Sequence, residues 1–297
     1  MISSSVNSAI HRNCTHRHSS WLRTAAVIVA AGAAAATATA GCSSHPGQKA
    51  NGKKSEIATT ESKAASRALA LASAASDRVK TLTANVTAHS TGASSGSLTG
   101  TVKIQLKPST VVGTTFHVKA EKSHVVEQSE ILTDKQIYFK DQAFTKATGK
   151  PWVEADISEL FTKVGVSLGS LLQNLENADP LDQTKLFTAS KNAHVVGTTK
   201  LNGVSTTEYA GTYEPQVALA ELSPKLRRVM GPTLRTIGGN PVQFEVWIDT
   251  HHVVRRTIST DNVHGQIVTT TLNVTSVNKP VHVALPELTE VAPLPKI

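Results

Sequence analysis

Cysteine and aromatic residues are scarce in this sequence. Cys14 and Cys42 are the only cysteines in 297 residues, and Phe, Trp and Tyr together make up 4%. Two cysteines cannot supply the disulfide framework typical of small secreted domains. No block of Lys and Arg is interleaved with aromatics, so the sequence offers little support for nucleic-acid binding despite its net positive charge.

The first 41 residues contain no Asp or Glu. Arg12, Arg17 and Arg23 come first, and an apolar stretch rich in Ala runs from there to Ala40. A basic region, an apolar region and small residues at the end are the three parts of a secretory signal. The apolar stretch is short of the ~20 residues that a membrane-spanning helix needs. The arginines are separated, which favours the general secretory route over a twin-arginine signal.

Cys42 follows Thr39-Ala40-Gly41, and this segment resembles a bacterial lipobox, although the pattern prefers Leu at the position of Thr39. The resemblance implies cleavage before Cys42 and a diacylglycerol thioether on its sulfur. Each buried methylene contributes about 0.8 kcal/mol, so two or three acyl chains would hold the protein on a membrane. An ordinary secretory signal would instead leave Cys42 as a lone thiol. Cys14 is removed in both cases, so the mature chain cannot form an internal disulfide.

Three segments follow from these observations. Residues 1–41 are predicted to be a lipoprotein signal peptide, and residues 42–61 an acylated cysteine with a flexible tether. The tether is poor in apolar residues and cannot bury a core. Residues 62–297 contain no internal linker or repeat and are long enough for one large domain.

The domain is predicted to open with a helix and continue as antiparallel strands. Ala64, Ala68, Leu71, Ala75, Val79 and Leu82 recur at helical spacing. Apolar and polar residues then alternate around Val102–Leu106, Phe116–Ala120 and Val242–Asp249, which predicts a sheet with one apolar face and one face in water. Asn202-Gly203 and Asp249-Thr250-His251-His252 are candidate hairpin turns, the first being the stronger signal.

Two groups of short apolar helices are predicted between the strands. The first group begins near Asp156 and contains Leu160, Phe161, Val164, Leu168, Leu171, Leu172 and Leu175. The second lies at 214–230 and contains Leu226 and Met230. The expected fold is therefore α+β: a large curved antiparallel sheet whose concave apolar face is covered by helices. Such a fold encloses either a packed core or a cavity, and ordinary core is the more common role of such leucines.

Catalytic patterns are weak. The sequence has no Gly-x-Ser-x-Gly elbow, and an acylated Cys42 would leave no free thiol for catalysis. His251-His252 is the only pair of adjacent histidines, and no carboxylate ligand set accompanies it, so neither a metal site nor another cofactor is expected. We therefore expect a protein that is not an enzyme.

Several segments together resemble the LolA-like lipoproteins of actinobacteria, the mycobacterial LppX/LprG-type group. They are the lipobox at Cys42, the helix from Ser62, the run Gln136–Lys140 leading to Pro151-Trp152-Val153, and Val246–Asp249 followed by Val253–Thr257. In that group the turn more often carries Gly where this sequence has Thr250-His251-His252.

The resemblance implies a half-open β-barrel closed by helices, with an apolar cavity that takes acyl chains of lipids or lipoglycans. Members are thought to carry or display such lipids outside the membrane, which places this chain on the outer face of a bacterial cytoplasmic membrane. The candidate lining residues are Phe116, Phe244 and Val246 on the sheet, with the seven residues of the first helical group and Leu226 and Met230 of the second.

Three functions remain open on the sequence. The first is a membrane-anchored lipid carrier with an elongated apolar cavity. The second is a surface-tethered sensor or interaction module with a filled core and an exposed apolar patch. The third is a hydrolase, which would need a convergent polar cluster in a cleft. The identity of the lipid and any protein partner are left unspecified.

Overall fold

The structure is a computed structural model that describes residues 53–92, 95–120, 124–157, 183–222, 239–263 and 265–295, together with residues 224, 227, 231, 234 and 235. The helices are α1 (Lys53–Ser76), α2 (Gln142–Thr148), α3 (Gln183–Phe187) and α4 (Pro215–Glu221), with a 3-10 turn at Leu288–Glu290. The strands are β1 (Thr81–Thr91), β2 (Gly96–Gln105), β3 (Val111–Ala120), β4 (Val126–Leu132), β5 (Gln136–Lys140), β6 (Trp152–Asp156), β7 (His194–Leu201), β8 (Val204–Tyr213), β9 (Val242–Asp249), β10 (Val254–Val263), β11 (Gln266–Val277) and β12 (Val291–Pro293).

All these strands belong to one curved sheet of twelve strands, in the order β12-β6-β5-β4-β3-β2-β1-β11-β10-β9-β8-β7. Every pairing is antiparallel except that between β12 and β6. The sheet does not close, because β12 and β7 form its two edges. The prediction of a large, curved, unclosed antiparallel sheet is confirmed.

One face of the sheet, which we call the inner face, carries the buried side chains. On β9, Val242, Phe244, Val246 and Ile248 are at most 3% exposed and alternate with residues that point to the outer face. On β3 the inner residues are Val112, Thr114 and Phe116. The period-two alternation read from the sequence is therefore confirmed for these strands.

The first helix differs from its prediction in two ways. It begins at Lys53, so the second half of the predicted tether is helical. After Gly52 no glycine or proline interrupts the chain before the helix ends, and helix formation propagates cooperatively through such a segment.

The buried face of α1 also differs from the predicted stripe. Ala65, Leu69 and Ala72 are buried, whereas Leu71 is 38% exposed and Ala64 is exposed. The predicted stripe is thus wrong at Ala64 and Leu71, because alanines occur all around this helix and make its apolar pattern ambiguous. Its later members Ala75, Val79 and Leu82 are buried, as predicted. None of the described helices is both long and apolar enough to cross a membrane.

Two predicted turns are present, and their backbone conformations differ. Asn202 and Gly203 connect β7 and β8 with φ of 51° and 82°, the left-handed pair that a two-residue hairpin requires. The turn between β9 and β10 places His252 at φ 62°, a position at which Gly would carry less strain. His251 and His252 thus lie in a turn.

The Asp249 side chain holds that second turn together. One of its oxygens accepts hydrogen bonds from the backbone amides of His251 and Val253, at 2.8 and 2.9 Å. The other oxygen pairs with the Arg255 guanidinium, at 2.8 Å from Nε and 2.6 Å from Nη2. These four contacts offset the free-energy cost of the left-handed backbone conformation at His252.

The outer face is not uniformly in water, contrary to the expectation for β9. Trp247 and Asp249 point outward but are 5% and 4% exposed. Arg256 on the neighbouring strand lies over the Trp247 ring, 5.4 Å from its centroid, and Arg255 covers Asp249. The arginine pair of β10 therefore shields the outer face of β9, which period-two alternation alone does not predict.

Candidate functional site

The inner face over β8 and β9 is tightly packed. Phe187 of α3 stacks on Phe244 with ring centroids 4.4 Å apart and an angle of 8° between the planes. Tyr213 completes the group, with its ring 6.1 Å from Phe187 and 6.4 Å from Phe244. All three side chains are at most 2% exposed. This half of the inner face forms a solid aromatic core.

Two aromatic rings lie directly on glycines of the neighbouring strand. Gly100 pairs with Phe116, and Gly211 pairs with Phe244. A Cβ on Gly100 would come within 2.5 Å of the Phe116 ring, and one on Gly211 within 3.0 Å of the Phe244 ring. The absence of a side chain at these two positions therefore lets the rings lie close to the sheet.

One lateral row of inner-face residues runs from the packed half to an accessible half. It begins with Phe244, Ser259 and Thr270, which are at most 6% exposed. It continues with Ala88, Leu98, Val118 and Val126 on four neighbouring strands.

These last four residues, which we call the open row, are apolar and point inward, yet each is accessible to solvent. Val126 is 39% exposed. At a strand spacing of about 4.8 Å, the open row extends across roughly 14 Å of sheet.

The opposite end of the same strands is closed. Leu82, Ile104, Val112, Leu132 and Ile137 form the corresponding row there and are at most 7% exposed. The inner face is therefore accessible at one end of β1–β4 and sealed at the other.

The inner side of β10 is polar from Thr257 to Asp261. Thr257, Ser259 and Asp261 alternate inward and are 3%, 2% and 0% exposed. Ser259 lies opposite Thr270 of β11, which is also buried. A polar strip therefore divides the aromatic core from the open row.

Asp261 has no described hydrogen-bond partner. Neither of its carboxylate oxygens is paired, and the buried hydroxyl of Tyr213 is also unpaired. Burial raises the pKa of Asp261 to about 8, so the group is mostly uncharged at neutral pH. Burial, and secondarily the nearby Asp261, raises the pKa of Tyr213 as well. Native proteins rarely leave buried polar atoms unpaired without a functional reason.

Glu130 is a second unusual carboxyl on the inner face. It lies opposite Thr114 on one side and Phe139 on the other, two residues along β4 from Gln128. Burial raises its pKa to about 7. Glu130 therefore titrates near neutral pH close to the open row.

The predicted lining residues occupy different environments. Phe116 is 4% exposed and lies beside the open row, two residues before Val118 on β3, which pairs with Leu98 of β2. Phe244 and Val246 are 2% and 0% exposed and belong to the packed core. The remaining candidates lie outside the described residues, as does Cys42: Leu160, Phe161, Val164, Leu168, Leu171, Leu172, Leu175, Leu226 and Met230.

Sequence reasoning missed the residues that make this face unusual. Asp261, Tyr213 and Glu130 were not singled out, and neither was the open row apart from Val118 as a strand residue. The segment 257–261 alternates like a strand, but its polar residues Thr257, Ser259 and Asp261 point inward. The pattern alone would therefore assign them to the solvent-exposed face. In the described part of the chain, no group of three potential metal ligands comes together.

No protein-family model and no curated protein matches the sequence. Solved structures with a related fold include two mycobacterial lipoproteins. LprF from Mycobacterium bovis is 15% identical, covers 75% of this chain and 97% of its own, and has a TM-score of 0.47. LppX from Mycobacterium tuberculosis is 18% identical, covers 75% and 99%, and has a TM-score of 0.41.

A LolA superfamily protein from Nitrosomonas europaea is 8% identical, covers 75% of this chain and 94% of its own, and has a TM-score of 0.26. The matched structures thus include mycobacterial lipoproteins and LolA superfamily proteins, the group that the sequence resembles.

Proposed function

We propose that this protein is a membrane-anchored, non-catalytic lipoprotein that binds acyl chains of a lipid or lipoglycan on the inner face of its sheet. The anchor would be an acylated Cys42 after removal of residues 1–41. The chain would then be held on the outer face of the cytoplasmic membrane, close to the bilayer from which such lipids are taken.

The open row is the observation that carries this proposal. Ala88, Leu98, Val118 and Val126 are apolar, lie on the inside of a curved sheet and are reachable by solvent. A soluble protein gains nothing from keeping apolar side chains accessible in a concave surface unless they contact a ligand or a partner.

An acyl chain suits this surface energetically. A chain of about sixteen carbons would gain on the order of 12 kcal/mol from complete burial, at about 0.8 kcal/mol per methylene. Partial coverage along the open row would give less, which suits a carrier that must also release its lipid. No polar catalytic group is needed for this role.

The helical residues predicted at 156–180, and Leu226 and Met230, would complete the binding site as its cover. Their apolar stripes would face the inner side of the sheet. In this arrangement Phe116 forms part of the floor of the site, whereas Phe244 and Val246 support the wall from the packed core.

A second candidate function is a surface-tethered interaction module. The solid packing of Phe187, Tyr213 and Phe244 favours it, because a filled core leaves less room for ligand. The open row would then contact a protein partner. A lipid carrier predicts co-purifying lipid, whereas the interaction module predicts none.

Native mass spectrometry of the protein purified without detergent tests the proposal. We expect bound lipid on the wild-type protein and a loss of at least half of it in Leu98→Trp, because the indole would fill the space above the open row. Thr99→Trp is the matched control, since Thr99 is the next residue on β2 and points to the outer face. Absence of lipid from the wild-type protein, or equal lipid on both variants, would contradict the proposal.

A further inference from the structure

The buried carboxyl of Asp261 is the least explained group in the described structure. It is 0% exposed, and both of its oxygens lack a hydrogen-bond partner. Burying a polar group without a partner costs free energy that folding must supply from elsewhere. A carboxyl placed in this way is expected to be matched by a group that is absent from the protein itself.

A second unpaired group lies close by. Tyr213 is 2% exposed, and its hydroxyl has no hydrogen-bond partner. Tyr213 pairs with Val242 across β8 and β9, and Asp261 follows Thr260, which pairs with Gln243 on the other side of β9. The two polar groups therefore flank Val242 on the inner face.

The chemistry of the pair indicates an uncharged ligand group. A protonated carboxyl and a phenol each offer one O–H donor together with acceptor lone pairs. An ester or hydroxyl oxygen can accept these donors without bringing charge into the core. A phosphate or a carboxylate would need a cation nearby, and no described Lys or Arg side chain contacts Asp261 or Tyr213 in a hydrogen bond or ion pair.

The pair is also connected to the open row. Asp261 lies opposite Val268 of β11, and Ser259 and Thr270 lead from it along the sheet to Ala88. From Asp261 to Val126 is five strand spacings, or about 24 Å along the sheet. Because Asp261 and the open row lie on the same inner face, a polar group held at Asp261 can be continuous with a chain lying on the open row.

We propose that Asp261 and Tyr213 form a polar binding site for an uncharged ester or hydroxyl group of an acylated lipid, whose chains extend toward the open row. This inference rests on the proposed lipid-binding function and adds the chemical class of the group that is recognised. Asp261 and Tyr213 then select lipids that carry such a group over plain hydrocarbons.

Competition binding with the full-length protein tests this site. Diphenylhexatriene, a hydrocarbon fluorophore, is bound first and then displaced by dioleoylglycerol or by squalene, which has no oxygen. The wild-type protein should prefer dioleoylglycerol. The ratio of the two affinities should fall about tenfold in Tyr213→Phe and in Asp261→Leu, because each loses one hydrogen bond to the ligand.

Two further variants act as controls. Asp261→Asn keeps an uncharged hydrogen-bonding group of the same shape and should retain most of the preference. Tyr209→Phe removes a hydroxyl four residues away on the same face of β8, where the ring is only partly buried, and should leave the ratio unchanged.

Thermal unfolding without ligand separates binding from a structural role. Asp261→Leu should unfold at the same temperature as the wild type or higher, since it removes an unpaired buried carboxyl. Lower stability with an unchanged affinity ratio would show a structural role and overturn the site. If Asp261→Leu does not fold, an unchanged ratio in Tyr213→Phe overturns it equally.

The outcomes also distinguish the two proposals. If the wild-type protein binds neither dioleoylglycerol nor squalene, both the lipid-binding function and this site are wrong. If it binds both and the variants leave their ratio unchanged, lipid binding stands and the polar site is wrong, with buried water as the partner of Asp261.

Discussion

Three carboxyl groups of this protein have very different environments. Asp249 lies in a turn, where burial alone would raise its pKa but hydrogen bonds from the Val253 amide, the Arg255 side chain and the His251 amide outweigh it and lower the pKa. Asp261 and Glu130 lack such compensation, and burial raises their pKa values to about 8 and about 7. The carboxyl of Asp249 therefore stabilises a turn in its charged form, whereas those of Asp261 and Glu130 bind protons near neutral pH on the inner face of the sheet.

Stability should fall as pH rises through the range set by Asp261 and Glu130. Their pKa values in the folded state are higher than the ordinary values of 3.8 and 4.5, so the folded protein binds more protons than the unfolded chain between about pH 4 and pH 8. We expect the free energy of unfolding in urea to be larger at pH 5 than at pH 8.5.

Substitution identifies the groups responsible for that slope. Asp261→Asn and Glu130→Gln should each flatten the dependence between pH 5 and pH 8.5. Glu127→Gln, an exposed residue on the same strand as Glu130, should leave it unchanged. A pH-independent free energy of unfolding in the wild type would show that these carboxyls are not buried in the manner described.

At the scale of elements, α1 shows how tertiary contact selects one face of an alanine-rich helix. Ala65, Leu69 and Ala72 share the buried cluster with sheet residues, and Ser76 near the C-terminus of the helix approaches Thr184 of α3. The small side chains allow the helix axis to lie close to its neighbours.

Two leucines of α1 provide a direct test of this face. Leu69 is 1% exposed and Leu71 is 38% exposed. Leu69→Ala should reduce the free energy of unfolding by about 2–5 kcal/mol, the usual range for a buried leucine. Leu71→Ala should change it by less than about 0.5 kcal/mol. The opposite order in denaturant titrations would favour the face predicted from the sequence.

At the scale of the whole molecule, an open sheet must protect its edges as well as its interior. β12 is three residues long and ends in Pro293, which limits pairing at one edge. At the other edge α1 lies against β7, whose Val195 and Val196 remain 39% and 53% exposed. The inner face is sealed at one end of β1–β4 and accessible at the other, so a ligand could reach it from one end of these strands only.

Membrane attachment through Cys42 is a prediction at this same scale. Cys42→Ser should shift the protein from the membrane fraction to the soluble fraction of the host, because the acyl chains could no longer be attached. Metabolic labelling with palmitate should be lost in the same variant. Cys14→Ser is the matched control and should change neither, since Cys14 lies in the segment predicted to be removed. Retention of Cys42→Ser in membranes would contradict an acyl anchor at this residue.

The antiparallel sheet was predictable because its signals are local. Alternation on Val242–Asp249 places every second side chain on one face whatever the rest of the chain does, and Asn202-Gly203 specifies its hairpin through its own backbone preferences. The sequence by itself therefore determined the strands around Val102–Leu106, Phe116–Ala120 and Val242–Asp249, and the antiparallel character of the sheet.

Tertiary structure decided which residues of that face are packed and which are accessible. Leu98 and Ile104 lie on the same side of β2, yet Ile104 is 2% exposed and Leu98 is accessible, because what covers each of them comes from distant parts of the chain. The sequence pattern predicts that Asp261 faces solvent. It is a buried carboxyl without a hydrogen-bond partner because β10 lies between β9 and β11 in the sheet. Burial is a property of neighbours that local sequence patterns do not contain, and the candidate site depends on it entirely.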